Sequence, residues 1–201
     1  MPAKNPSLHG SAPDKSKIVL LLIDVINDLN FPEADLLLPH ALPMAKTLKK
    51  LKTRARAAGI PAIYINDNFS RWQSNFNLLI EHCLKPHCKS RAIVTLLRPQ
   101  KKDYFVLKPK HSAFFSTTLD VLLNYLGAET LIITGIAANV CVLFTANDAY
   151  MRDYNLIIPS DCVVSNTLEE KNHALQQMKK VLKANIRLST EIRFPSNRSK
   201  R

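Results

Sequence analysis

The chain has 201 residues, 46% hydrophobic and 22% charged, enough to bury one substantial core. It is therefore neither a mini-protein stapled by disulfides nor a disordered polymer. Four cysteines without a dense framework fit a reducing, cytoplasmic setting, and 28 Lys+Arg against 16 Asp+Glu give a net charge of +12, which suits acidic partners or anionic substrates but says nothing about fold.

In chain order, residues 1–16 are rich in Pro, Ser and Lys, lack the apolar core of a secretory signal and read as a flexible tail. The apolar run from Ile18 to Ile23 stops at Asp24, far short of the ~20 residues that span a bilayer, so no membrane segment is expected. Short β-branched or Leu-rich runs then alternate with segments of helical period, the pattern of parallel strands joined by crossover helices. Strands are expected at 18–24, 61–66, 103–107, 130–134, 155–158 and 186–188. Between the first two, Leu42, Ala45, Leu48, Leu51 and Ala55 form an apolar stripe, with Lys46, Lys49, Lys50, Lys52, Arg54 and Arg56 on the rest of the surface and Gly59 and Pro61 as the stop. Further helices are expected at about 74–83, 118–126, 139–152 and 168–180. The fold class is a three-layer α/β/α domain over residues 17–194 with a central, mostly parallel six-stranded sheet, followed by a basic tail at 195–201.

In such sheets the chemistry lies beyond the carboxyl ends of the strands. Asp24 ends the first strand, Lys108 follows the third, and Cys141 lies in the turn Gly135-Ile136-Ala137-Ala138-Asn139-Val140-Cys141 after the fourth. If those strands are neighbours, a carboxylate, an ammonium and a thiol meet in one crevice. A helix N-terminus and a nearby ammonium would both favour the thiolate over a thiol of ordinary pKa near ~8.5. Asp24 could exchange the proton, and backbone N–H groups of the turn could face a developing oxyanion.

Four stretches carry a family likeness: LLLIDVINDL with Asp24, YINDNFSRW after the second strand, KPKHSAFFSTTLDVLL from Lys108, and LIITGIAANVCVLFTANDAYMRDY around Cys141, with IIPSDCVVS beyond them. They span about residues 17–188, and on them the chain resembles the isochorismatase-like cysteine hydrolases, which include nicotinamidases, N-carbamoylsarcosine amidase and isochorismatase. The resemblance implies Asp24 as general base, Lys108 as its cationic partner and Cys141 as nucleophile. It also implies a cis peptide between Ile136 and Ala137, so that the N–H groups of Ala137 and Cys141 form an oxyanion hole. Nicotinamidases hold a metal through Asp-x-His and a further His after the second strand, whereas here the stretch is Asp67-Asn68-Phe69-Ser70-Arg71-Trp72. No metal and no cofactor are expected. Relatives place Gln and Phe beyond the first-strand Asp, where this chain has Asn27 and Leu29, which implies an altered pocket.

Asn68, Phe69, Trp72 and Phe114 are assigned to substrate binding, because aromatic residues in the two motif loops can wall a small pocket. His82, Cys83, His87 and Cys88 have metal-ligand chemistry but lack a second C-x-x-C half. His111 and Ser112 lack the G-x-S-x-G elbow of a serine hydrolase, and the basic run on the first helix lacks a nucleic-acid motif. The partner expected is a small-molecule substrate, not nucleic acid or membrane, with a homo-oligomer as the assembly. Three functions stay open: a cysteine-nucleophile amidase or related C–N hydrolase, a vinyl-ether hydrolase using Asp24 without covalent catalysis, and a catalytically silent binding protein.

Overall fold

The computed structural model describes residues 15–67 and 75–195. The expected terminal extensions, apart from Lys15, Ser16 and Pro195, and the proposed substrate-binding residues Asn68, Phe69 and Trp72 lie outside the described residues.

Six parallel strands form one sheet: β1 Ile18–Ile23, β2 Ala62–Asp67, β3 Tyr104–Lys108, β4 Thr130–Ile136, β5 Asn155–Ile157 and β6 Val163–Val164, in the order β3-β2-β1-β4-β5, with β6 pairing with β4. Because successive strand residues point to opposite faces, β1 feeds two cores. Leu20 and Leu22 pack on the side of α1 (Ala34–Ala57), α2 (Phe76–Cys83) and α3 (Arg91–Leu96). Val19, Leu21 and Ile23 pack on the side of α4 (Leu119–Leu126), α5 (Leu143–Tyr150) and α6 (Leu168–Lys180). Every residue from Val19 to Ile23 is fully buried, which explains a continuous apolar run rather than an alternating one.

Helix α1 begins eight residues before the apolar stripe expected from sequence and carries Pro39 and Pro43 inside it. Each internal proline costs about 3 kcal/mol. The buried row Leu37, Met44, Leu48 and Leu51 contributes about 1.5–3 kcal/mol per side chain and offsets that. Gly59, at φ 74°, takes the left-handed conformation that ends the helix. Two of the basic residues on this helix do more than face water. Lys52 turns inward to Asp103 Oδ2 (2.6 Å) and Tyr64 Oη (2.7 Å), and Arg54 donates to the carbonyls of Ser189 and Ile192.

The sixth strand is not at 186–188. That segment runs beside β5 with a single bridge, Ile157 to Asn185. The Asn185 side chain takes the Arg187 N–H (3.1 Å), and Asp161 takes the N–H and hydroxyl of Ser189 (2.8 and 2.7 Å), so side chains compete with the ladder. Val163–Val164 fills the place instead, pairing with Gly135 and Ile136 past the end of β5. The helix expected over 139–152 is also divided: a π-helical turn, Ala138–Val142, runs into α5. Among the described residues, no helix is long and apolar enough to cross a membrane.

Candidate active site

Asp24 directly follows the central strand β1. Its own N–H still pairs with Ile65 O on β2 (2.8 Å), but its backbone turns left-handed at φ 51°, a conformation that Asp tolerates better than most residues. Its carboxylate is thereby held over the strand ends, where Oδ1 accepts the Asp67 N–H (2.8 Å) and Oδ2 lies 3.0 Å from Lys108 Nζ. Lys108 is the last residue of β3 and stands opposite Asp67 in register, so both side chains rise from the same face. Its ammonium lies 3.4 Å from Asp67 Oδ2 and donates to Cys141 Sγ at 3.5 Å.

Cys141 reaches this point through the turn after β4. Gly135 sits so close to β1 that a Cβ there would fall 2.0 Å from Ile23 O, and its φ is +115°. The peptide between Ile136 and Ala137 is cis. The π-helical turn follows, with Val140 and Val142 N–H both donating to Ala137 O (3.1 Å each), and Ser165, on the chain just past β6, donates to Asn139 Oδ1 (2.7 Å). Ala137 N–H makes no hydrogen bond among the described residues.

The Lys108 side chain is 0% exposed, and a buried ammonium costs several kcal/mol unless partnered. Here burial opposes the charge, but the Asp24 carboxylate, the Cys141 sulfur and Asp67 outweigh it, and the pKa is raised. Burial raises the Asp24 pKa as well, against the lowering pull of Lys108, the Cys141 thiol and the Asp67 N–H. The Cys141 thiol is pushed up to about 12, first by burial and then by the neighbouring Asp24 carboxylate, with Lys108 acting the other way. The Lys108 ammonium pulls toward the thiolate, as expected from sequence, but burial and the Asp24 carboxylate outweigh it. The thiol shares its enclosure with a carboxylate, and burial with that charge favours the protonated form.

Asp67 supplies the second carboxylate on Lys108. Its place at a strand end beside Asp24 was the available signal. Phe114, assigned from sequence to substrate binding, is 4% exposed and packs on Tyr154 (ring centroids 6.2 Å apart) with the Arg152 guanidinium 4.7 Å over its ring. Cys83 and Cys88 are buried, Cys88 Sγ lying 3.3 Å from Ser90 Oγ, and His82 faces Asp28 (3.3 Å). Ser112 bonds to Asp148 (2.5 Å) and not to a histidine. Among the described residues, no three His, Cys, Asp or Glu side chains gather as metal ligands.

Residues 19–190 match the Isochorismatase domain. The chain is 42% identical over 178 residues to the uncharacterized isochorismatase family protein YaaI of Bacillus subtilis (strain 168), covering 89% of this chain and 97% of that one. It is 31% identical over 140 residues to the ureidoacrylate amidohydrolase RutB of Methylorubrum extorquens, covering 59% of this chain and only 56% of that longer protein. Among solved structures, N-carbamoylsarcosine amidase from Thermoplasma acidophilum superposes with a TM-score of 0.69 at 26% identity, covering 88% of this chain and 99% of the other. With a parallel sheet that ends in Asp24, Lys108 and the Cys141 turn, and a match over nearly the whole described domain, the chain belongs to the isochorismatase family of hydrolases.

Proposed function

We propose that the protein is a cysteine-nucleophile amidase or related C–N hydrolase acting on a small molecule, with Asp24, Lys108 and Cys141 as its catalytic residues. The observation that carries this reading is the fully buried Lys108 ammonium, 3.0 Å from Asp24 Oδ2 and 3.5 Å from Cys141 Sγ. A vinyl-ether hydrolase needs only a proton donor, whereas a thiol held against both a base and a cation suits attack on a carbonyl carbon. The printed activities of the amidohydrolase and amidase relatives support the same bond class.

As the sulfur–carbon bond forms, the thiol proton passes to Asp24 and the carbonyl π electrons move onto oxygen. The N–H groups of Ala137 and Cys141 stabilise that oxyanion. Collapse expels the amine or ammonia, which leaves with the proton from Asp24. Water then attacks the thioester and gives a proton to Asp24, the acid departs, and the proton returns to sulfur. Lys108 stays protonated throughout, balancing whichever of Asp24 and Cys141 carries the negative charge. Because the resting thiol has a pKa of about 12, proton transfer accompanies attack instead of preceding it.

Hydroxylamine tests this sequence. In the presence of an accepted amide it should intercept the thioester and yield the hydroxamic acid, at a rate that vanishes in Cys141→Ala. Turnover of a vinyl ether but of no amide, with Cys141→Ala as active as the parent, would overturn the reading in favour of acid catalysis by Asp24.

A further inference from the structure

The sheet alone does not fix the separation of Lys108 and Cys141. Lys108 ends the edge strand β3, Cys141 follows β4, and β2 and β1 lie between. A direct tether closes that gap. Ser112, four residues after Lys108, donates its hydroxyl to Asp148 Oδ2 (2.5 Å), and the next residue, Ala113, donates its N–H to Thr145 Oγ1 (3.0 Å). Thr145 and Asp148 follow Cys141 by four and seven residues, the spacing of a single helix face, so one side of α5 and the turn before it presents thiol, hydroxyl and carboxylate in succession. Ser112 and Thr145 are 5% and 0% exposed, and buried polar pairs of this kind are costly to break from one side.

Asp148 is itself held. Arg152 donates to its backbone carbonyl (3.0 Å) and approaches its carboxylate (3.8 Å), while the Arg152 Nε reaches both oxygens of Asp120 at the start of α4 (3.0 and 3.1 Å). The same guanidinium covers Phe114, whose N–H closes a short turn onto Ser112 Oγ (3.1 Å). The loop after Lys108 is thus pinned to the helix after Cys141 by groups that touch neither sulfur nor ammonium.

We propose that Asp148, through Ser112, is a positioning residue that holds the Lys108 ammonium against the Cys141 thiol, a role that rests on the reading of Lys108 and Cys141 above. A loosened loop withdraws the cation, leaves the thiol with the Asp24 carboxylate as its nearest charge, and lowers the thiolate fraction at every pH.

The test needs no substrate. Peptide-resolved alkylation by iodoacetamide reads the Cys141 thiolate, and with a thiol pKa of about 12 its rate should climb about tenfold per pH unit from roughly pH 7 to 10 without a plateau. Asp148→Ala and Ser112→Ala should each slow Cys141 about tenfold across that range, and the double variant should be no slower than either, as for two ends of one link. Asp148→Asn keeps an acceptor for Ser112 while removing the charge, and should stay within about threefold of the parent, which separates positioning from the field of the carboxylate. Continued protection of the buried Cys83 and Cys162 reports an intact fold; if Asp148→Ala loses it, Ser112→Ala decides. Folded Ser112→Ala or Asp148→Ala that alkylates at or above the parent rate overturns the proposal. Lys108→Gln separates the two levels of the argument: an unchanged Cys141 rate in that variant sinks the reading of Lys108 itself, whereas a slowed rate there with unchanged rates in the tether variants sinks only the positioning role.

Discussion

Cys141→Ala is expected to reduce hydrolysis of an accepted amide by about 10⁴-fold or more, since loss of a nucleophile leaves only binding and oxyanion stabilisation to act. Asp24→Ala should fall by a similar factor. With no carboxylate there, neither the thiol proton nor the leaving amine has its exchange partner, and among the described residues the buried Lys108 keeps only Asp67 within salt-bridge distance. The effects should not add: Cys141→Ala combined with Asp24→Ala should be about as inactive as either alone, because the two residues serve one step. Steady-state rates of the three variants check this. A Cys141→Ala enzyme within tenfold of the parent would mean that sulfur is a bystander.

Gly135→Ala is expected to destabilise the protein by more than about 4 kcal/mol, among the larger effects of a point change. The new Cβ would lie 2.0 Å from Ile23 O and 2.8 Å from Ile23 N, backbone atoms of the central strand, and the residue would be held at φ +115°, which disfavours any L side chain. Relief requires β1 and β4 to part where both lead into the site, since Ile23 precedes Asp24 and Gly135 opens the Cys141 turn. Urea unfolding should show a strongly lowered midpoint, and whatever folded protein remains should be inactive. A midpoint equal to the parent's would contradict the close approach of these strands.

Much of this arrangement was legible because it depends on local pattern. The buried run from Val19 to Ile23 marks a central parallel strand, and Asp24, Lys108 and Cys141 stand respectively just past a strand, at the end of one and in the turn beyond one, where the topology of a parallel sheet gathers side chains that are far apart in sequence. What escaped depends on contacts between distant segments. A strand of two residues, Val163–Val164, has no period to read, whereas Ile186-Arg187-Leu188 shows the alternation of a strand. Phe114 is legible as an aromatic residue of a motif loop, but Arg152, which lies over its ring from another element, is not. Asp67 looks like a turn residue until Lys108, 41 positions later, is placed against it. The upward shift of the Cys141 thiol escaped for a related reason. Helix end and cation are visible along the chain, but the burial and the carboxylate that outweigh them exist only once the strands are side by side.

In the proposed mechanism sulfur forms a bond to the substrate's acyl carbon. Acid-quenched turnover, followed by intact and peptide mass spectrometry, tests it most directly. A transient mass increase equal to the acyl group is expected on the peptide containing Cys141, present at early times, absent in Cys141→Ala and cleared as substrate is exhausted. Full turnover with no adduct on Cys141 at any time, or an adduct borne by Ser112 or Asp24 instead, would contradict it.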